Sequence, residues 1–178
     1  MKYAFLFVVA IVVSREGFAQ KYTAEKALIS FYSDAPLEDI TADNAKVTTL
    51  FNAATGDIVF SVPMKEFRFA KALMREHFNE KYVESEKYPK ATFQGKIVDF
   101  KPGDSGVQNV KAQGKLTIHG VTKDIDVPGT IEVQGNKLAM KSKFMVKVAD
   151  YNITIPQLVF NNIAEEVEVT VDFLYKPM

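Results

Sequence analysis

The sequence predicts an all-β protein: a closed antiparallel β-barrel of about eight strands with one short helical insert. Three observations predict it. Apolar and polar residues alternate with period two in one run after another along most of the chain. Glycine, proline, asparagine and aspartate punctuate those runs, after Pro89 at intervals of roughly 12–15 residues. Most runs carry one apolar and one charged face, so they need a shared interior. Closing the sheet on itself supplies that interior and leaves no exposed edge. About eight strands enclose a space that side chains can fill or that one slim ligand can occupy.

The elements follow in order. Ala27–Tyr32 is rich in β-formers and ends at Ser33-Asp34-Ala35-Pro36, which makes it the opening strand. A second strand is expected over Ile40–Phe51, leading into the turn Ala54-Thr55-Gly56-Asp57. The return strand, Asp57–Val62, places Ile58, Phe60 and Val62 opposite Val59 and Ser61 and stops at Pro63. Residues 64–88 break the alternation. Phe69, Leu73, Met74 and Phe78 recur at helical spacing among good helix formers, so a helix is predicted over 70–79 with irregular structure to 88. Strands are then expected at Ala91–Phe100, Val107–Ile118, Lys123–Val133 and Leu138–Val148, with turns at Lys101–Gly106, His119-Gly120 and Gln134–Asn136. The last strand sets Val167, Val169, Val171, Phe173 and Tyr175 against Glu166, Glu168, Thr170 and Asp172.

The first nineteen residues stand apart. Lys2 precedes the apolar run Ala4–Val13, and Gly17-Phe18-Ala19 supplies small residues before Gln20, the three-part pattern of a secretory signal cleaved after Ala19. Ten helical residues rise about 15 Å, half of a bilayer core of roughly 30 Å, so stable membrane insertion is not expected. Residues 20–178 then form one domain. Twenty-two basic and 22 acidic residues cancel over the whole chain of 178. Without Lys2, Arg15 and Glu16, 20 basic and 21 acidic groups remain, a net charge of −1. That balance argues against nucleic acid as a partner. The absence of cysteine removes thiol catalysis, cysteine-ligated metals, disulfides and a lipoprotein anchor.

Candidate catalytic groups are few, because there are only two histidines. His77 sits on the expected helix beside Glu76 and Glu80, which is too few ligands for catalytic zinc. His119 occupies a turn and is expected to face solvent. Ser105 lies in Gly103-Asp104-Ser105-Gly106, a sequence that turn chemistry explains. Asp34, Glu38, Asp39 and Asp43 lack calcium-loop spacing, and there is no phosphate loop or dinucleotide fingerprint. No metal, cofactor or enzymatic reaction is implied. What remains is the apolar inner face, with eleven phenylalanines after residue 19. A barrel packed to the centre and a barrel holding an apolar ligand share this pattern.

Tyr88-Pro89-Lys90-Ala91-Thr92-Phe93, followed by Gly114-Lys115-Leu116-Thr117-Ile118-His119-Gly120-Val121-Thr122-Lys123, resembles the YceI-like family. Its members share a tyrosine-proline-x-x-x-phenylalanine segment and a later glycine-x-leucine-threonine-isoleucine-x-glycine-valine-threonine hairpin. Met74-Arg75-Glu76-His77-Phe78 is similar to the helical insert of other members. Asp150-Tyr151-Asn152-Ile153 resembles an aspartate-aromatic-glycine-isoleucine turn, and asparagine tolerates the left-handed backbone that glycine would take there. Residues 31–51 depart from the better-known members.

The resemblance implies an extended lipocalin-like barrel, exported to the periplasm or secreted, that holds a polyisoprenoid or similar long-chain lipid. Strand facing and the apolar stripe of the insert select Phe60, Phe67, Leu73, Phe78, Phe93, Leu116, Ile131, Met140, Phe144 and Val169 as lining residues. The alternative is a packed barrel acting through its surface in a structural or stress-response role. Oligomeric state stays open, a homodimer included.

Overall fold

The computed structural model describes residues 21–34, 39–155 and 164–178. The expected secretory signal and Glu38 of the acidic group lie outside the described residues. Ten strands and one short α-helix follow one another as β1 (Lys21–Ser33), β2 (Ile40–Asn44), β3 (Thr48–Asn52), β4 (Asp57–Pro63), β5 (Arg68–Phe69), α1 (Ala72–His77), β6 (Lys90–Val98), β7 (Gly106–Ile118), β8 (Val121–Gln134), β9 (Lys137–Lys147) and β10 (Glu166–Pro177). Neighbouring strands pair antiparallel in the order β10-β9-β8-β7-β6-β4-β3-β1, and β1 pairs back onto β10 from Tyr22↔Pro177 to Tyr32↔Glu168. This is the closed eight-strand antiparallel barrel that the alternation predicts.

The second predicted strand is two strands. Asn44 is fully buried, and its side chain accepts the Lys46 N–H (2.9 Å) while donating to the Pro63 carbonyl (2.8 Å). This local bond replaces the ladder and turns the chain at Ala45–Val47. β2 therefore pairs with the upper part of β1 (Ile29–Ser33) and β3 with its lower part (Lys21–Thr23), so both run along the same edge. β5 adds to the outer edge of β2.

The helix is shorter than predicted. Lys71 at its N-cap makes no side-chain cap bond, and α1 runs only from Ala72 to His77. A wider turn follows over Phe78–Tyr82, with the Val83 N–H reaching the Phe78 carbonyl five residues back at 2.9 Å. The chain returns to the barrel where the Met64 N–H donates to the Pro89 carbonyl (2.9 Å).

Two devices shape the wall. Gly95 of β6 faces Gly114 of β7, and a Cβ on Gly114 would lie 2.5 Å from the Gly95 Cα, so the two backbones touch where side chains cannot fit. The β8–β9 ladder runs from Gln134↔Lys137 to Gly129↔Ser142. Pro128, next along β8, has no N–H to donate, and its carbonyl accepts the Ser142 hydroxyl at 2.7 Å.

The inward faces meet in one core. At the lower end aromatic rings fill the barrel: Tyr22 and Tyr175 lie 6.4 and 5.9 Å from Phe51, and Phe100 lies 5.8 Å from Phe51. The Tyr175 hydroxyl bonds Thr49 Oγ1 at 2.6 Å. Burial pushes the Tyr175 phenol far above the usual tyrosine range, with the Thr49 bond opposing the shift. The upper end, beneath α1, is not filled.

Candidate functional site

The upper end of the barrel encloses an apolar chamber of about 160 Å³. Period-two strands aim Ile29 and Phe31 (β1), Phe60 and Val62 (β4), Leu116 and Ile118 (β7), Phe144 and Val146 (β9), and Val167, Val169 and Val171 (β10) into it. The insert covers the top with Phe67, Phe69, Phe78, Tyr82 and Val83. Four rings form this roof. Phe31 stacks on Phe78 at 5.7 Å and meets Phe67 and Phe69 at 5.5 and 5.9 Å, while Phe78 lies 5.0 Å from Phe69. Such pairs add about 0.5–1.5 kcal/mol each beyond their burial.

The chamber carries no charge. Desolvation raises the phenol pKa of Tyr82, and desolvation followed by the nearby Asp150 raises that of Tyr151, so both lining tyrosines stay neutral. Ser33 contributes a hydroxyl to the wall, where its oxygen accepts the Ala164 N–H at 3.1 Å. With walls of this kind the site solvates hydrocarbon and offers a polar group little. Among the described residues no three His, Asp or Glu side chains cluster as metal ligands.

Of the ten residues selected from sequence, Phe60, Phe67, Phe78, Leu116, Phe144 and Val169 line the chamber. Phe93 lies beneath it, stacked on Phe60 at 5.2 Å. Met140 borders a smaller cavity of about 40 Å³ lower in the barrel. Ile131 is buried completely in the core. Leu73 is a correction: it is 61% exposed on α1 and is not among the residues that line the chamber. The helix begins at Ala72, so the expected stripe shrinks to Met74 and Phe78, and Phe69 reaches the chamber from β5 instead.

Sequence reasoning missed Phe31, Phe69, Tyr82 and Tyr151. Phe31 was available from its spacing to Ala27 and Ile29, which share its face of β1. Tyr82 and Tyr151 project from irregular turns that no period marks.

His119 is a second correction. Its side chain is only 9% exposed, at the mouth of the barrel beside the chamber wall. Its Nδ1–H donates to the Tyr151 carbonyl at 3.0 Å, and Nε2 faces the Glu84 carboxylate at 2.7 Å. A carbonyl only accepts, so Nδ1 carries the proton of that bond. The Tyr88 ring packs edge-on against the imidazole at 4.4 Å. His119 thus ties the end of the insert to the β7–β8 turn and to the turn at Val148–Tyr151. Asn152 ends that turn at φ +55°, in the left-handed conformation expected of a residue replacing glycine.

A closed eight-strand antiparallel barrel with an apolar chamber inside is the architecture of the lipocalin-like barrels. Within that class the chain belongs to the YceI-like family, whose domain model matches residues 23–175. No curated protein sequence matches it significantly. Solved structures share the fold, three of them as follows. A polyisoprenoid-binding domain from Saccharophagus degradans is 16% identical, with a TM-score of 0.77 over 88% of this chain and 98% of that one. BcnA of Burkholderia cenocepacia is 18% identical, with a TM-score of 0.71 over 83% and 95%. The YceI protein of Campylobacter jejuni is 15% identical, with a TM-score of 0.55 over 98% and 89%.

Proposed function

We propose that this protein is a non-enzymatic carrier that is exported and holds the hydrocarbon chain of a polyisoprenoid or similar long-chain lipid in its barrel. The uncharged, apolar chamber under the aromatic roof carries the proposal. The naming of the Saccharophagus degradans neighbour as polyisoprenoid-binding supports it. Burial of the chain supplies the affinity, about 0.8 kcal/mol for each CH₂ removed from water. The chamber is close in size to the roughly 150 Å³ cavity that accepts one benzene ring. It therefore takes the end of a chain, and the remainder leaves by the mouth beneath α1.

A packed barrel working through its surface accords poorly with an interior that is filled at one end only. Export rests on the N-terminal pattern, and among the described residues no helix is long and apolar enough to cross a membrane. Two measurements test the reading. Organic extraction of the purified protein, followed by mass spectrometry, returns a prenyl or other long-chain lipid in near-stoichiometric amount. Sequencing of the mature N-terminus begins at Gln20. A ligand-free protein that also fails to take up prenyl alcohols would sink the carrier, and an intact N-terminus on protein retained inside the cell would sink export.

A further inference from the structure

Two cavities lie one above the other along the barrel. The chamber of about 160 Å³ and the lower cavity of about 40 Å³ share three wall residues: Phe60, Phe144 and Val171. Phe60 is braced from below, stacked on Phe93 at 5.2 Å and edge-on to Phe173 at 5.8 Å. Phe173 in turn meets Tyr175 edge-on at 5.9 Å, and below it the aromatic fill is continuous to Phe51. Phe93 and Phe173 are buried, whereas Phe60 and Phe144, which border both cavities, are only partly buried. Phe60, Phe144 and Val171 therefore stand between the two spaces, and the Phe60 ring rests on the filled end of the barrel.

We propose that Phe60 and Phe144 set the depth to which an apolar chain enters, and that the lower cavity lies behind them. The inference rests on the carrier reading and names the dimension of the ligand that the chamber measures. A chain grows in affinity with each carbon that reaches apolar wall, about fourfold per CH₂, and stops gaining when its tip meets the two rings. At 160 Å³, near the size that takes the six carbons of benzene, the gain ends at about six carbons. Opening the partition adds the lower cavity and the volume of the lost ring.

Calorimetric titration with straight-chain primary alcohols, lengthened one carbon at a time, reads this depth directly. In the unaltered protein, affinity climbs and then levels off at about six carbons. In Phe60→Ala and Phe144→Ala the levelling point moves at least about two carbons further. Phe60→Leu and Phe144→Leu move it less but in the same direction, and serve where the alanine variants do not fold. Phe51→Leu, at the filled end, leaves it in place. A levelling point that is the same in every folded variant overturns the depth assignment while leaving the carrier intact. Absence of binding by all variants and by the parent overturns the carrier reading itself, and with it the role of the two rings.

Discussion

At Gly120 the backbone takes φ +74°, and a Cβ there would stand 2.6 Å from Cε1 of Tyr88. Gly120→Ala is accordingly expected to destabilise by about 1–3 kcal/mol, seen as a lowered denaturant midpoint with unchanged slope. Leu73 gives the opposite expectation. Because Leu73 is exposed and does not line the chamber, its replacement by Ala should change stability by no more than about 0.5 kcal/mol and leave lipid uptake unaltered. Phe78→Ala, by contrast, removes a ring that touches three others in the roof. It should cost about 3–5 kcal/mol and weaken lipid uptake, both measurable in one set of titrations. Tyr175 sets a pH limit. Its folded-state pKa is raised above the unfolded value, so the neutral phenol stabilises the fold fully below about pH 10. That contribution is lost as pH rises towards the folded-state pKa. Alkaline melting curves should fall steeply above about pH 10, and Tyr175→Phe should flatten the fall.

Elements were legible in the sequence wherever one face is buried and the other is wet. On β9 and β10 the alternation of Val, Phe and Leu with Lys and Glu gives strand and inward face together. The break between β2 and β3 was not legible, because Asn44 turns the chain only when Pro63, nineteen residues away, supplies the carbonyl it needs. The same holds for His119, whose burial depends on Glu84, thirty-five residues earlier, and on the Tyr151 carbonyl, thirty-two later. The stripe that promised a helix from residue 70 mixed two elements, since Phe69 belongs to β5. His119 is the joint that fixes the insert to the barrel. His119→Ala leaves Glu84 and the Tyr151 carbonyl without their partner and should cost about 1–3 kcal/mol. Hydrogen exchange should show the loss concentrated in amides 83–88, with β9 and β10 unaffected; uniform acceleration across the barrel would contradict the local role.

For the whole molecule, closure was readable from pattern, but the division into a filled and a hollow end was not. Both halves of each strand carry the same apolar alternation. Along β10 what separates them is size: Phe173 and Tyr175 are buried in the aromatic fill of the lower end, whereas Val167, Val169 and Val171 leave room at the upper end. The candidate site was legible to the same degree. Strand facing found Phe60, Leu116, Phe144 and Val169, and it had no means of telling that Ile131 and Met140 lie below the chamber. The central claim is that the upper chamber holds a lipid chain end. The most direct test is a crystal structure of the protein grown with a polyprenyl alcohol. Continuous density for the chain is expected between the Phe31–Phe67–Phe78 roof and Phe60 and Phe144, with the hydroxyl at the mouth. An empty chamber, with the lipid on the outer surface or absent, would contradict it.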